Sequence, residues 1–348
     1  MSSKISSALA IEDLVRWLRL GTVACCLALL LLDAFAAQAQ SCLSASDMDA
    51  ATRSALETTA HRFFDMAAKA DVFSLKQNSI PSVASNFSGI ESAVVDNKPA
   101  LQGAQATPRP PFLLQAQGNA AIERAEFLCG VFGTQGQTHD SAVFVLSNLP
   151  PANYGIVVMD VNGAKGPYTL SLVLQRLGND WKLGGFYAKS AQAGGHDAPW
   201  YLDHARQYKA KGQVHNAWLY FQEGRYLISP VDFMSTLQTD KLYDEAQSVL
   251  PPDFPANGNT VNLLTGAKTY KLTQIFPLGV GNDLDLVVKY QSDDVSNSTQ
   301  TFRDNMAVIK ALVAKYPELR EAFSAVVARA VEPSGKDYGS LLAMKDIK

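Results

Sequence analysis

Beginning at Ser46-Asp47-Met48-Asp49, which is spaced like a capping box, the residues Leu56, Ala60, Phe63 and Ala67 step by four, three and four. That period predicts an amphipathic helix over about 47–69. Short helical or turn pieces follow through Pro81, and Pro99–Pro111, with four prolines and no apolar period, reads as a loop. From Phe112 to Ala188 the pattern turns into short apolar runs broken by turn residues, a strand meander. Tyr168, Leu170, Leu172 and Leu174 alternate with Thr169, Ser171, Val173 and Gln175, so one face is expected to be buried and the other wetter. Asn162-Gly163 and Gly178-Asn179-Asp180 supply hairpin turns.

Gly194-Gly195 and Pro199 mark a linker, after which helical spacing returns in two helices, with Tyr201, Ala205 and Tyr208 on the first and Ala217, Phe221 and Gly224 on the second. A further helix over about 239–250 carries Leu242, Ala246 and Val249. Residues 251–262, rich in Pro, Asn and Gly, read as an interdomain linker. Beyond it, Tyr270 to Phe276 and Leu284 to Tyr290 alternate as two strands. A helix over about 298–316 follows, with Phe302, Met306, Ile309 and Val313 as its inner stripe, and Pro317 halts it. Residues 320–346 fit a closing hairpin or a helix with a tail; the hairpin reading gives a ββαββ unit.

The fold class is therefore α+β: a long N-terminal helix on a curved antiparallel sheet (40–190), a helical hairpin plus one helix (196–250), and a small ββαββ domain (263–348). The element order and the closing LQRLGNDWKLGGFY hairpin resemble the cystatin-like cone of the nuclear-transport-factor-two-like superfamily over roughly 45–190. Enzymes of that superfamily place an Asp, His or Tyr inside the cone, so the resemblance nominates Asp65, Tyr154, Tyr168 and Tyr187. The next segment is similar to one tetratricopeptide repeat: Ala205, Tyr208, Ala217, Phe221 and Gly224 fall on that family's packing positions, and Pro230 stands one place later than its proline. His204 replaces the usual aliphatic residue and Tyr201 the preferred Trp, which departs from the family's peptide-binding pattern.

Lys4, Arg16 and Arg19 precede an uncharged run, Leu20–Leu32. At 1.5 Å per residue that run rises about 20 Å, short of a roughly 30 Å hydrocarbon core. Ala37-Gln38-Ala39 then offers small residues to a signal peptidase, so residues 1–39 read as a signal peptide and the mature chain as periplasmic or secreted, without stable membrane insertion. The alternatives are an uncleaved anchor helix from about Trp17 to Ala39 and a lipid anchor at Cys42, although Ala39-Gln40-Ser41 fits a lipobox poorly. Cleavage would leave Cys42 and Cys129, which form a disulfide in an exported chain or stay as two buried thiols. A bridge closing so long a loop contributes on the order of 4 kcal/mol in the chain-entropy account.

The chain has 348 residues, 47% hydrophobic, 18% charged and 9% aromatic, which fits a folded globular protein. Thirty Lys plus Arg against 33 Asp plus Glu leave a net charge of −3, so no chain-wide basic field exists to hold nucleic acid. No phosphate loop, nucleophile elbow, HExxH or CxxC motif occurs, and no cofactor or metal is expected. Gly130, Gly133 and Gly136 read as turn residues. His196, His204 and His215, near Asp197 and Asp203, lack the i, i+4 partner of a metal site. Asp283 with Asp285, and Asp293 with Asp294, read as solvated edges.

The most unusual composition is aromatic: Trp200, Tyr201, Tyr208, Trp218, Tyr220, Phe221 and Tyr226 exceed what one hairpin buries between its own helices. Trp200, Tyr208, Trp218 and Phe221 therefore either dock the hairpin onto the cone and the next helix or anchor a partner. The expected function is an exported, non-catalytic binding or interaction protein, its partner a protein or small molecule. The alternative is a small-molecule hydrolase or isomerase acting in the cone, and a hollow or filled interior separates the two.

Overall fold

The computed structural model describes residues 40–131, 136–266 and 268–348. The expected signal peptide, its cleavage site and Gly133 lie outside the described residues. The chain is mixed α+β with several antiparallel sheets.

Strand β1 (Gln40–Leu43) precedes helix α1 (Ala50–Ala68). The cap is Asp49 rather than Ser46: its carboxylate accepts from Thr52 N at 2.8 Å, while Asp47 turns back to the Ser44 hydroxyl at 2.5 Å. Helices α2 (Val72–Gln77), α3 (Pro81–Ser85) and α4 (Ser88–Leu101) follow. The stretch expected as a loop is mostly regular, because α4 runs through Pro99 in its last turn and β2 (Gln105–Pro108) pairs with a later strand, covering its apolar edge.

Strands β3 (Phe112–Ala116), β4 (Ile122–Cys129), β5 (Ala142–Leu149), β6 (Ala152–Gly163), β7 (Gly166–Leu177) and β8 (Asp180–Ser190) do not form one meander. A main sheet runs β1-β3-β6-β7-β8 with β2 beside β6. Strands β4 and β5 leave it to form a second sheet. On one face of the main sheet, Val157, Met159, Leu170 and Leu172 pack with Leu56, Ala60 and Phe63 of α1 in one core. On the other, Ile156, Val158 and Leu114 pack with Phe127 and Phe144 of the second sheet. The wetter face expected from the alternation is thus largely covered: Thr169 and Ser171 are buried, and the Ser171 hydroxyl donates to Pro230 O at 3.4 Å.

Two-residue strands β9 (Gln192–Ala193) and β10 (His196–Asp197) form a tiny hairpin where a linker was expected. Helices α5 (Ala198–Ala210) and α6 (Val214–Ile228) form the helical hairpin, followed by β11 (Met234–Thr236) and α7 (Leu237–Gln247). Strand β11 returns to pair with β5, completing the second sheet.

Strands β12 (Val261–Thr265), β13 (Lys268–Val280) and β14 (Asp283–Gln291), helices α8 (Ser298–Lys315) and α9 (Leu319–Ala322), and strands β15 (Ala325–Val331) and β16 (Asp337–Ala343) complete the chain. They give a βββααββ order in place of ββαββ, with a short second helix and with β12 beginning inside the expected linker and burying Leu263 against β13. The linker's Phe254 is buried as well. Strands β14 and β15 are parallel and joined through α8; the other pairs are antiparallel.

Helix α8 buries Ile309 and Val313 of its expected stripe and packs Met306 against the core, and departs from it at Phe302. Phe302 is exposed, and Thr301, Asn305, Val308, Ile309 and Leu312 face inward. Asn305 takes an inward place on this face: it accepts from Tyr290 Oη at 2.8 Å and donates to Ser340 Oγ at 2.9 Å, a buried polar link that holds the helix against β14 and β16. The helical hairpin shares one core with this C-terminal sheet. Tyr220 Oη donates to Ala322 O at 2.9 Å, Tyr208 Oη to Glu321 O at 3.3 Å and Asn216 Nδ2 to Glu318 O at 2.7 Å.

Candidate functional site

Three parts of the chain meet around a cleft of about 960 Å³. Helix α6 supplies Gln222, Glu223 and Tyr226; β7 and β8 supply Tyr168, Lys189 and Ser190; the β13–β14 hairpin supplies Phe276, Pro277, Leu278 and Asn282. The turn between β9 and β10 closes one side with Gly194 and Gly195. Close backbone approach makes this junction possible. A Cβ on Gly279 would sit 2.9 Å from Gly194 N and 3.0 Å from Ala193 Cα, so a side chain there would push the hairpin off the turn. Gly194 has φ +53°, and a Cβ on it would sit 3.1 Å from Asp283 O.

Glu223 is the most unusual group in the cleft. It sits in the aromatic face of α6 between Phe221 and Tyr226 and is only 6% exposed. Burial pushes its carboxyl pKa up to about 7, and the Lys189 charge offsets part of that. Among the described residues it accepts no hydrogen bond within reach and makes no ion pair within 4.0 Å. Lys189, entering from β8, loses hydration in the same cleft. Burial lowers its ammonium pKa to about 8, against the opposing pull of Asp232 and Glu223. Its Nζ donates to Tyr226 O and lies 4.2 Å from the Tyr226 ring centroid. Burial also raises the Tyr226 phenol, helped by Glu223 and Asp232.

A carboxyl and an amine that both titrate near neutrality can bind a polar ligand, hold a proton between them or act as acid and base. The cleft also carries an apolar wall, Phe276 to Leu278, so it combines a few polar groups with hydrophobic surface, as ligand sites do.

Of the candidate residues singled out in the sequence, Tyr168 and Tyr226 line this cleft and the others lie elsewhere. Cys42 and Cys129 form a disulfide, with Cα atoms 5.0 Å apart, tying β1 of the main sheet to β4 of the second sheet. Such bonds persist in oxidising compartments, which fits an extracellular or periplasmic protein. No described helix is long and apolar enough to cross a membrane. Tyr208, Trp218 and Phe221 are buried in the core shared by the hairpin and the C-terminal sheet, and Trp200 packs against it. Trp200 is sandwiched between His196, 3.7 Å away by ring centroid, and His204, 3.8 Å away. These aromatics share a core with Leu242 and Ala246 of α7 and with the C-terminal sheet, and the hydroxyls of Tyr208 and Tyr220 reach carbonyls in the α8–β15 connection.

His215 stands apart from the other two histidines, between Glu318 and Asp253, and no cluster of three metal-binding side chains occurs among the described residues. Asp197 caps α5 through Trp200 N at 3.1 Å, and Asp203 pairs with Arg206. Gly130 and Gly136 adopt positive φ as turn residues. Asp294 bonds to Ser296 at an exposed turn. Asp285 departs from the solvated-edge reading: it is 4% exposed on β14, whose two faces are both covered, and burial followed by the Asp283 charge raises its carboxyl.

Of the cone candidates, Asp65 is exposed on α1 and Tyr154 donates to Pro150 O at 2.7 Å on the face toward the second sheet. Tyr187 packs edge-on against Phe233 at 5.5 Å. Tyr168 alone lines the cleft. Between α1 and the main sheet the space is filled by Leu56, Phe63, Met159 and Leu172. Sequence reasoning passed over Glu223 and Lys189, although a lone Glu inside the run AWLYFQEGRYL was a visible signal. No protein-family model, curated protein or solved structure matches this chain.

Proposed function

We propose that this is an exported binding protein that holds a small molecule in the cleft between α6, β8 and the β13–β14 hairpin. The observation that carries this reading is Glu223, a buried side chain whose carboxyl opens on a cleft of about 960 Å³ and makes no hydrogen bond or ion pair among the described residues. Burial strips hydration from this carboxyl and pushes it toward its neutral form, a cost that a ligand bonded to it offsets. The filled interior under α1 supports binding at this junction over chemistry in a cone. The exported placement is supported by the disulfide together with the uncharged run at Leu20–Leu32.

In the same reading, the first part is a cystatin-like cone and α5–α6 a tetratricopeptide-like hairpin that serves as a bracket between two sheets. Helix α1 packed across an antiparallel sheet supports the first likeness. The inward placement of Ala205, Tyr208, Ala217 and Phe221 supports the second.

A thermal-shift screen of the exported protein against amines, carboxylates, sugars and nucleosides tests the cleft. At least one class raises the melting temperature of the native protein, and Gln222→Trp, which places a ring in the cleft from a half-buried position on α6, removes that rise. Absence of any rise, or a rise unchanged by Gln222→Trp, would sink the reading.

A further inference from the structure

We propose that the cleft ligand is a small organic amine: its ammonium group binds the Glu223 carboxylate, and its apolar body lies along the Phe276–Leu278 wall. This rests on the cleft being a ligand site and names what the ligand carries.

The argument is one of unmatched partners. Lining the same cleft as Glu223 are Lys189 from β8, Asp232 from the loop before β11, Tyr168 and Lys165 from the β6–β7 hairpin, and Arg225 and Tyr226 from its own helix. The β13–β14 hairpin adds Asn282 but no charged side chain.

Two of the cleft's cations bond to other groups, although the Lys189 charge still acts on Glu223. The Lys189 ammonium bonds to Tyr226 O, and the Arg225 guanidinium donates to Thr239 O at 3.2 Å and lies over the Tyr243 ring at 5.2 Å. Lys165 is exposed at the turn. Among the charged side chains lining the cleft, the most buried one without a hydrogen bond or ion pair is therefore an acceptor, Glu223. A donor that also carries positive charge satisfies it best, because the attraction acts in a site of low dielectric. A ligand carboxylate placed at the same depth would instead face Glu223 and Asp232 with like charge. The tyrosine rings and the Phe276–Leu278 wall suit an apolar or aromatic body next to the ammonium.

Calorimetric titration of the full exported chain with 2-phenylethylamine, hexylamine and the shape-matched 3-phenylpropionate tests this at about pH 8, above the Glu223 value of about 7. One or both amines bind at least roughly tenfold more tightly than the carboxylate, and Glu223→Gln weakens amine binding by a similar factor, the size of a lost charged hydrogen bond. Comparing the ligands on the native protein decides the sign even if Glu223→Gln folds poorly. Equal or tighter carboxylate binding, or amine binding unmoved in folded Glu223→Gln, overturns the proposal. If neither amine binds but another class stabilises the protein and Gln222→Trp abolishes the effect, the cleft is a ligand site and the amine assignment is wrong. If no class binds, both readings fail.

Discussion

His215 on α6 places its Nδ1 2.6 Å from Glu318 Oε1, in the turn between α8 and α9. The other ring nitrogen, Nε2, lies 2.9 Å from Asp253 Oδ1, so one imidazole bridges two carboxylates, and only the imidazolium donates to both. Lys315 stands 3.6 Å from the same Asp253, and the rings of Phe254 and Tyr316 flank the histidine. The arrangement clasps the helical hairpin to the C-terminal part. His215→Gln and Glu318→Gln should each destabilise the protein, with a coupling of about 1 kcal/mol in a double-mutant cycle. A coupling of zero by urea denaturation would mean that the clasp is incidental.

Glu223 gives the unliganded protein a specific pH dependence. In the folded chain it keeps its proton to about pH 7, against its ordinary 4.5. The native state therefore binds more protons in that window, and stability falls as pH rises through it. The rise to about 7 corresponds to on the order of 3 kcal/mol. Lys189 works in the opposite sense at higher pH. It releases its proton at about 8 against an ordinary 10.5, so stability recovers as pH rises between those values. Urea denaturation across pH 4 to 8 should show the descent in the native protein and a flattened curve in Glu223→Gln. Parallel curves for the two proteins would rule out this origin.

Local periodicity made the α1 stripe and the β7 alternation readable, because each reports which side of one element is apolar. It failed where burial depends on distant chain. Thr169 and Ser171 read as wet because the chain that covers their face, the second sheet and the Pro230 loop, comes partly from beyond the helical hairpin. Phe302 read as core because nothing local reveals that Asn305, linked to Tyr290 and Ser340, shares the inner face of α8 with Ile309 and Val313. The cleft was illegible for the same reason: its walls come from three segments, and only the misplaced Glu223 left a trace in the sequence.

Gly224 sets how closely α5 and α6 approach. A Cβ there would lie 2.7 Å from Leu202 Cδ2 and 2.9 Å from its Cγ. Gly224→Val should cost about 1–3 kcal/mol through overpacking, despite leaving the helix free of its glycine. Adding Leu202→Ala opens room for the new side chain, so the double variant should lose less than the two single losses combined. Additive losses by thermal denaturation would show that the two residues do not share this contact.

The Cys42–Cys129 bridge ties the first described strand to the second sheet across a sequence separation of 87 residues. It acts mainly on the unfolded chain, which it keeps from exploring a long open loop. Replacing both cysteines by serine should lower unfolding stability by about 2–4 kcal/mol in denaturant. Reductant should bring the native protein down by a similar amount and leave the double variant unchanged. If reductant lowers both proteins equally, its effect lies outside this bridge. If the double variant matches the oxidised protein, β1 is held by its pairing with β3 and by the Ser41–Gln115 hydrogen bond at 2.8 Å, and the bridge adds nothing.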